Sequence, residues 1–132
     1  MKLNVIVIDD SPVQLLVTSK LIQRNKHLNL IAVYANPSVG LLAANSSEVD
    51  IVILDVEMPD IDGFSLMKLF DGHIKVIMNS TKASFESRAF AAGAVDFLPK
   101  PLNDLSLESS ISKLLMMEKY ANTRGILTAL AS

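Results

Sequence analysis

Five polar side chains stand where apolar runs of the chain break off. Asp9 and Asp10 follow the run at 4–8, Asp55 follows 51–54, Ser80 follows 74–78 and Lys100 follows 94–98. Three carboxylates brought together repel one another, and a divalent cation removes that cost. An all-oxygen set without His or Cys suits Mg²⁺, which keeps some waters and commonly shares its shell with a phosphate. A hydroxyl and an ammonium beside it would supply a hydrogen-bond donor and a counter-charge for phosphoryl oxygens. Each signal is weak alone. Asp-Asp-Ser could be only a helix cap, a Ser at a strand end is usually solvated, and a Lys is usually surface.

Asp55 is the first suspect for a nucleophile. It ends Asp50-Ile51-Val52-Ile53-Leu54-Asp55, and Pro59 and Gly63 follow within eight positions. That pattern reads as a buried strand delivering a carboxylate to its C-terminal end, then a turn and a helix. Asp62, next to Gly63-Phe64, is better placed to cap that helix, which leaves Asp55 another task.

The elements that must position these groups follow in order. Residues 4–8 form an apolar strand. Ser11-Pro12-Val13-Gln14 predicts an N-cap, Pro at the first helical position and a capping box, opening a helix to about residue 24. Its buried stripe is expected at Val13, Leu16, Val17 and Leu21. A strand at 28–34 is followed by a short helix from Asn36-Pro37-Ser38 carrying Val39, Leu41 and Leu42. After the strand ending at Asp55 comes a helix over 64–70, a strand over 74–78 and the polar exit Asn79-Ser80-Thr81. A helix over 84–92 stops at Gly93, and a strand over 94–98 leads to Pro99-Lys100-Pro101. Asn103 or Asp104 caps the last helix, which carries Leu107, Ile111, Leu114 and Leu115 to about Tyr120. Residues 1–121 thus form one domain, and 122–132 read as a C-terminal tail, either a helix extension or the start of a linker.

Strands alternating with helices predict an α/β fold, a doubly wound five-stranded parallel sheet flanked by five helices and flavodoxin-like, with strand order 2-1-3-4-5. In that order strands one and three are neighbours, so Asp9, Asp10 and Asp55 emerge side by side. Ser80 and Lys100 come from the next two strands at the same edge.

Composition narrows the function. The chain has 132 residues, 50% hydrophobic and 20% charged, with a formal net charge of -2. That suits one compact domain and, lacking clustered Lys and Arg, disfavours a nucleic-acid surface. With no cysteine, disulfides, thiolate metal sites and Cys nucleophiles are excluded. No apolar run is long enough to span a membrane, so a cytoplasmic location is the expectation. No glycine-rich nucleotide motif occurs. His27 and His73 lie away from the strand-end site, and the six methionines read mostly as core.

Over residues 2–120 the chain resembles the receiver domain of two-component response regulators, chemotaxis-regulator-like. The matching motifs are Val-Ile-Asp-Asp-Ser (7–11), Leu-Asp-Val-Glu-Met-Pro-Asp-Ile-Asp-Gly (54–63), Val-Ile-Met-Asn-Ser (76–80) and Gly-Ala-Val-Asp-Phe-Leu-Pro-Lys-Pro (93–101). The resemblance implies that Asp55 accepts a phosphoryl group from a histidine kinase's phospho-His. It implies Mg²⁺ held by Asp10 directly, by Asp9 mostly through water, by Asp55 and by the backbone carbonyl of Glu57. Ser80 matches the hydroxyl that turns to the phosphoryl oxygen, Lys100 the family Lys and Phe97 the switch aromatic. It further implies a cis Lys100–Pro101 peptide, with the Lys100 ammonium at salt-bridge range from Asp55.

Two features depart from the commonest family pattern. The 25 residues from Asp55 to Ser80 and the 20 from Ser80 to Lys100 are short, as in receivers attached to LytTR-type domains, whereas the motif wording resembles chemotaxis methylesterase receivers. Phe97 stands in place of Tyr or His and lacks a hydroxyl. The expected partners are a histidine kinase or phosphotransfer protein and a downstream output domain or protein, with homodimerisation on phosphorylation. The helix 4, strand 5 and helix 5 face would be switched. Two rivals are a binding module that never takes phosphate, which would be expected to have lost an acid or the Lys, and a Mg²⁺-dependent phosphatase, which would need an insertion to build a cap.

Overall fold

The computed structural model describes residues 2–131. Five strands, β1 (Leu3–Ile8), β2 (Leu28–Tyr34), β3 (Ile51–Asp55), β4 (Lys75–Ser80) and β5 (Asp96–Pro99), form one parallel sheet in the order β2-β1-β3-β4-β5. The connecting helices are α1 (Pro12–Gln23), α2 (Pro37–Ser46), α3 (Gly63–Met67), α4 (Glu86–Ala91) and α5 (Asp104–Ala131), with a single 3-10 turn (Ala83–Phe85) before α4.

Strand alternation divides the core into two layers. Ile6, Ile8, Val52, Leu54, Val76 and Met78 face the side covered by α2, α3 and α4, where Ala44, Phe64, Leu66 and Ala89 meet them. Val5, Val7, Ile51, Ile53 and Ile77 face the other side, under Leu21 and Ile22 of α1 and Leu107, Ile111 and Leu114 of α5. All five residues of β3 are buried, each large aliphatic one contributing about 1.5–3 kcal/mol by leaving water. The central strand is therefore a rigid mount for its last residue, Asp55.

Local chemistry sets the helix starts. Ser11 Oγ accepts the Gln14 N–H, Asn36 Oδ1 those of Ser38 and Val39, Asp62 Oδ1 that of Ser65, and Asn103 Oδ1 that of Ser106. Each satisfies a donor that has no partner inside the helix. At Ser11 the reciprocal half of the expected capping box is not made. The Ser11 N–H goes to Asp9 Oδ1 at 2.9 Å, and Gln14 Oε1 is buried without a partner.

Several expectations are corrected. Val13 and Leu16 of α1 are 67% and 57% exposed, and the inward residues are Thr18, Leu21 and Ile22. Leu21 is buried and Val17 partly buried, as expected, while the face that meets the sheet also takes in Thr18 and Ile22. On α2, Val39 and Leu42 point outward and Gly40 and Ala44 inward. That helix lies so near the sheet that a Cβ on Gly40 would sit 2.7 Å from Ile8 Cδ1. Helix α3 ends at Met67 rather than 70, leaving Leu69 exposed, and β4 continues through Ser80. Strand β5 starts at Asp96; Gly93 ends α4 with φ of +107°, a left-handed conformation that glycine adopts freely. Helix α5 does not end near Tyr120 but extends to Ala131, so the stretch read as a tail continues the helix. Among the described residues no helix is long and apolar enough to cross a membrane.

Candidate functional site: an acidic cluster at the strand ends

The sheet order places the ends of β1 and β3 side by side, with Ile8 paired to Leu54. One carboxylate oxygen from each of Asp9, Asp10 and Asp55 lies within 4.8 Å of the others, Asp9 and Asp55 buried and Asp10 exposed. The cluster thus has a closed floor and one side open to water. A donor set of oxygens only, with one open side, fits a hard divalent cation that retains waters.

Lys100 closes the floor. Its Nζ is 2.7 Å from Asp9 Oδ2 and 3.0 Å from Asp55 Oδ1, and its side chain is 8% exposed. The Lys100–Pro101 peptide is cis. Pairing with both carboxylates holds the ammonium charged: burial opposes that charge, but hydrogen bonds and attraction from Asp9 and Asp55 outweigh it and raise its pKa above the ordinary value.

Asp55 titrates unlike an ordinary carboxyl. Burial pushes it up to about 6; the Lys100 hydrogen bond and charge oppose this, while Asp9 and a hydrogen bond with Asp10 add to it. Its folded pKa therefore lies above the ordinary value of 3.8. Between those two values the folded protein binds more protons than the unfolded one, so stability falls as pH rises through the window and the loss is complete above about 6. Relative to Asp55→Asn, which cannot ionise there, the parent should lose unfolding free energy over this interval in urea titrations. A difference that does not vary with pH would contradict the shift.

Ser80 is buried at the end of β4, and its Oγ accepts the Lys82 N–H at 3.1 Å. The hydroxyl thus bonds its own loop and retains its proton for another acceptor. Glu57 turns its side chain outward to Lys82, 2.9 Å away, spanning the loops after β3 and β4. Phe97 is already in the core, 7% exposed; a ring without a hydroxyl has no polar atom to hold it in water. His27 and His73 do not join the acidic cluster.

Three sets of contacts were not foreseen. Asp9 is the nearer partner of Lys100, and it also takes the Ser11 N–H. Buried Asn79 donates from Nδ2 to Leu98 O, tying β4 to β5 behind Ser80. Lys82 and Glu57 each lie two residues beyond a site residue on adjacent strands, and the strand order is the sequence signal that could have paired them.

Residues 5–112 match the family model described as the response regulator receiver domain. The chain belongs to that family. The receiver is 34% identical to a protein-glutamate methylesterase/protein-glutamine glutaminase of Hahella chejuensis, over 99% of this chain and 39% of that protein. It is 36% identical to one from Oceanobacillus iheyensis, over 81% of this chain and 32% of that protein. It therefore spans about a third to two-fifths of the length of these curated relatives. A crystal structure of the CheX-CheY-BeF3-Mg+2 complex from Borrelia burgdorferi contains a chain 26% identical, with a TM-score of 0.74 over 86% of this receiver and 89% of that chain. A CheY-like receiver domain protein from Methanospirillum hungatei superposes with a TM-score of 0.78 over 92% and 99% of the two chains, at 23% identity.

Proposed function

We propose that this receiver is a phosphorylation switch whose phosphoacceptor is Asp55. The observation that carries the reading is the buried Lys100 ammonium bridging Asp9 and Asp55 beneath the three-carboxylate cluster. An Asp55 carboxylate oxygen attacks the phosphorus of a phospho-His donor; the P–O bond forms, the P–N bond breaks, and the electron pair leaves with the imidazole. Asp10, Asp55 and the Glu57 carbonyl would hold Mg²⁺ directly and Asp9 mostly through water, and the ion would supply charge neutralisation for the phosphoryl oxygens. Lys100 gives the product a counter-charge. The Ser80 hydroxyl, its proton not committed to another acceptor, donates to a phosphoryl oxygen once it rotates.

The donor is a histidine kinase or phosphotransfer protein. Exposed Val13 and Leu16 on the first turns of α1, close after Asp10, offer an apolar landing surface for its helices. The response passes from Ser80 and Lys100 along β4 and β5 to the α4–β5–α5 face, where an output domain or partner reads it. That the curated relatives are longer enzymes supports an enzymatic output among the candidates.

With acetyl phosphate and Mg²⁺, the intact mass should rise by one phosphoryl group, and Asp55→Asn should abolish the gain. Phosphate on Asp9, Asp10 or a hydroxyl would overturn the role assignment. Continued release of inorganic phosphate with turnover would indicate a phosphatase instead.

A further inference from the structure

The outer half of α5 carries an apolar face that its own domain does not bury. Met116, Tyr120, Leu127 and Leu130 are 68%, 67%, 61% and 79% exposed, with Met117 and Ile126, 51% and 61% exposed, flanking them. The inner half packs Leu107, Ile111 and Leu114 against the sheet. At about 100° per residue, those three cluster on one side of the helix, while the four outer residues cluster within about 80° on the opposite side. The outer stripe is therefore no continuation of the core seam. A helix that projects into water with such a stripe draws its stability from packing against a partner.

The projection leaves the domain far from Asp55. Glu118 lines a cavity of about 430 Å³ with Lys2, Asn4 and His73, at the edge where the strands begin. The site lies where they end.

The spacing of the stripe selects the partner. Its steps are four, seven and three residues, which reversed read three, seven and four. A two-fold axis near position 123 would set Met116 against the partner's Leu130 and Tyr120 against the partner's Leu127. Such near-palindromic spacing is what an isologous contact between identical surfaces requires. Only Glu118, Lys119 and Arg124 carry charge between 116 and 131, too few to attract a strongly charged polymer.

We propose that the projecting half of α5 is a dimerisation helix that pairs antiparallel with the same segment of a second copy of this chain. Four side chains from each copy make a small contact, below the roughly 1,200 Å² of stable interfaces, so the dimer exchanges with monomer as concentration changes. The pairing is independent of phosphorylation and should persist in Asp55→Asn, which separates its failure from failure of the phosphoacceptor reading.

Sedimentation velocity across micromolar to several hundred micromolar protein should show reversible dimer formation with an elongated shape. Leu127→Glu should raise the dissociation constant at least about tenfold while leaving thermal unfolding of the receiver unchanged, since this side chain is exposed. Gly125→Ala, whose new Cβ meets nothing within 4 Å, stiffens the helix behind the stripe and should tighten the dimer several-fold. The chain has no cysteine, so single Met116→Cys and Leu130→Cys variants should form a disulfide-linked dimer when mixed and not when kept separate. A chain that stays monomeric throughout, or a dimer indifferent to Leu127→Glu, would overturn the proposal. Linkage of Leu130→Cys to itself would overturn the antiparallel arrangement.

Discussion

Replacing Lys100 by Met should destabilise the unliganded receiver by about 3–5 kcal/mol at neutral pH, the cost of removing one partner from a buried ion pair. The Lys100 side chain is 8% exposed and holds Asp9 at 2.7 Å and Asp55 at 3.0 Å, both carboxylates being still more buried. Without the ammonium, two buried anions face each other with Asp10 alongside. A proton can substitute for it. Because Lys100 is what lowers the Asp55 pKa, its loss drives that pKa further above 6. The variant's folded state then binds a proton that the unfolded state releases near 3.8, and its stability falls over a wider pH range. The deficit should be small at about pH 5 and full by about pH 8. Millimolar Mg²⁺ should recover part of it, as binding to the folded state alone stabilises by linkage, about 1.4 kcal/mol at ten times Kd. Urea unfolding of parent and variant, at both pH values and with and without Mg²⁺, measures all of this. A variant as stable as the parent at pH 8 would show that the triad does not hold the site together.

The strands and their order were legible because each apolar run ends in an unambiguous polar or turn signal, and because five βα units leave few right-handed arrangements. From the order alone, Asp9, Asp10 and Asp55 had to meet. Helix faces were less legible. On α1 a hydropathy stripe favoured Val13 and Leu16, yet the sheet is met by Thr18, Leu21 and Ile22. Thr18 is buried although it is polar, its branched side chain carrying a methyl that hydropathy does not register. On α2 the inward residues are small, since Gly40 sits against Ile8 and Tyr34; closeness of approach selects against the very residues a stripe search rewards. Beyond Tyr120 a helix extension and a linker both stayed open: Gly125 resembles a stop signal, yet no proline follows and a helix tolerates one glycine at about 1 kcal/mol. At the site, the missing information was rotamers. Whether Glu57 reaches Lys82, or Gln14 reaches back to Ser11, depends on competing partners such as Asp9 that only three-dimensional placement supplies.

Gly63→Ala should cost about 1–3 kcal/mol, toward the upper end, and should slow phosphorylation of Asp55 out of proportion to that loss. A Cβ at position 63 would clash with the Asp55 carbonyl oxygen and lie 2.7 Å from Met78 Cε and 3.1 Å from Val56 Cα. The Met78 methyl can swing aside, as long thioether chains do. The two backbone atoms cannot move without shifting the end of β3, because Gly63 N donates to Val56 O at 2.7 Å and Val56 N bonds Asn79 O at 3.4 Å. Relief of the clash therefore displaces the peptide that carries the phosphoacceptor. Alignment within about 0.5 Å matters for a site built on positioning and charge. Gly40→Ala provides the contrast. Its new Cβ meets first Cδ1 and Cγ1 of Ile8, both at 2.7 Å, which are side-chain atoms and not the backbone that carries Asp55. Both variants should lose stability in urea melts, but only Gly63→Ala should show a slowed rate of acetyl-phosphate labelling at temperatures where both remain folded. Equal labelling rates would mean that the close approach of α3 to β3 serves packing alone.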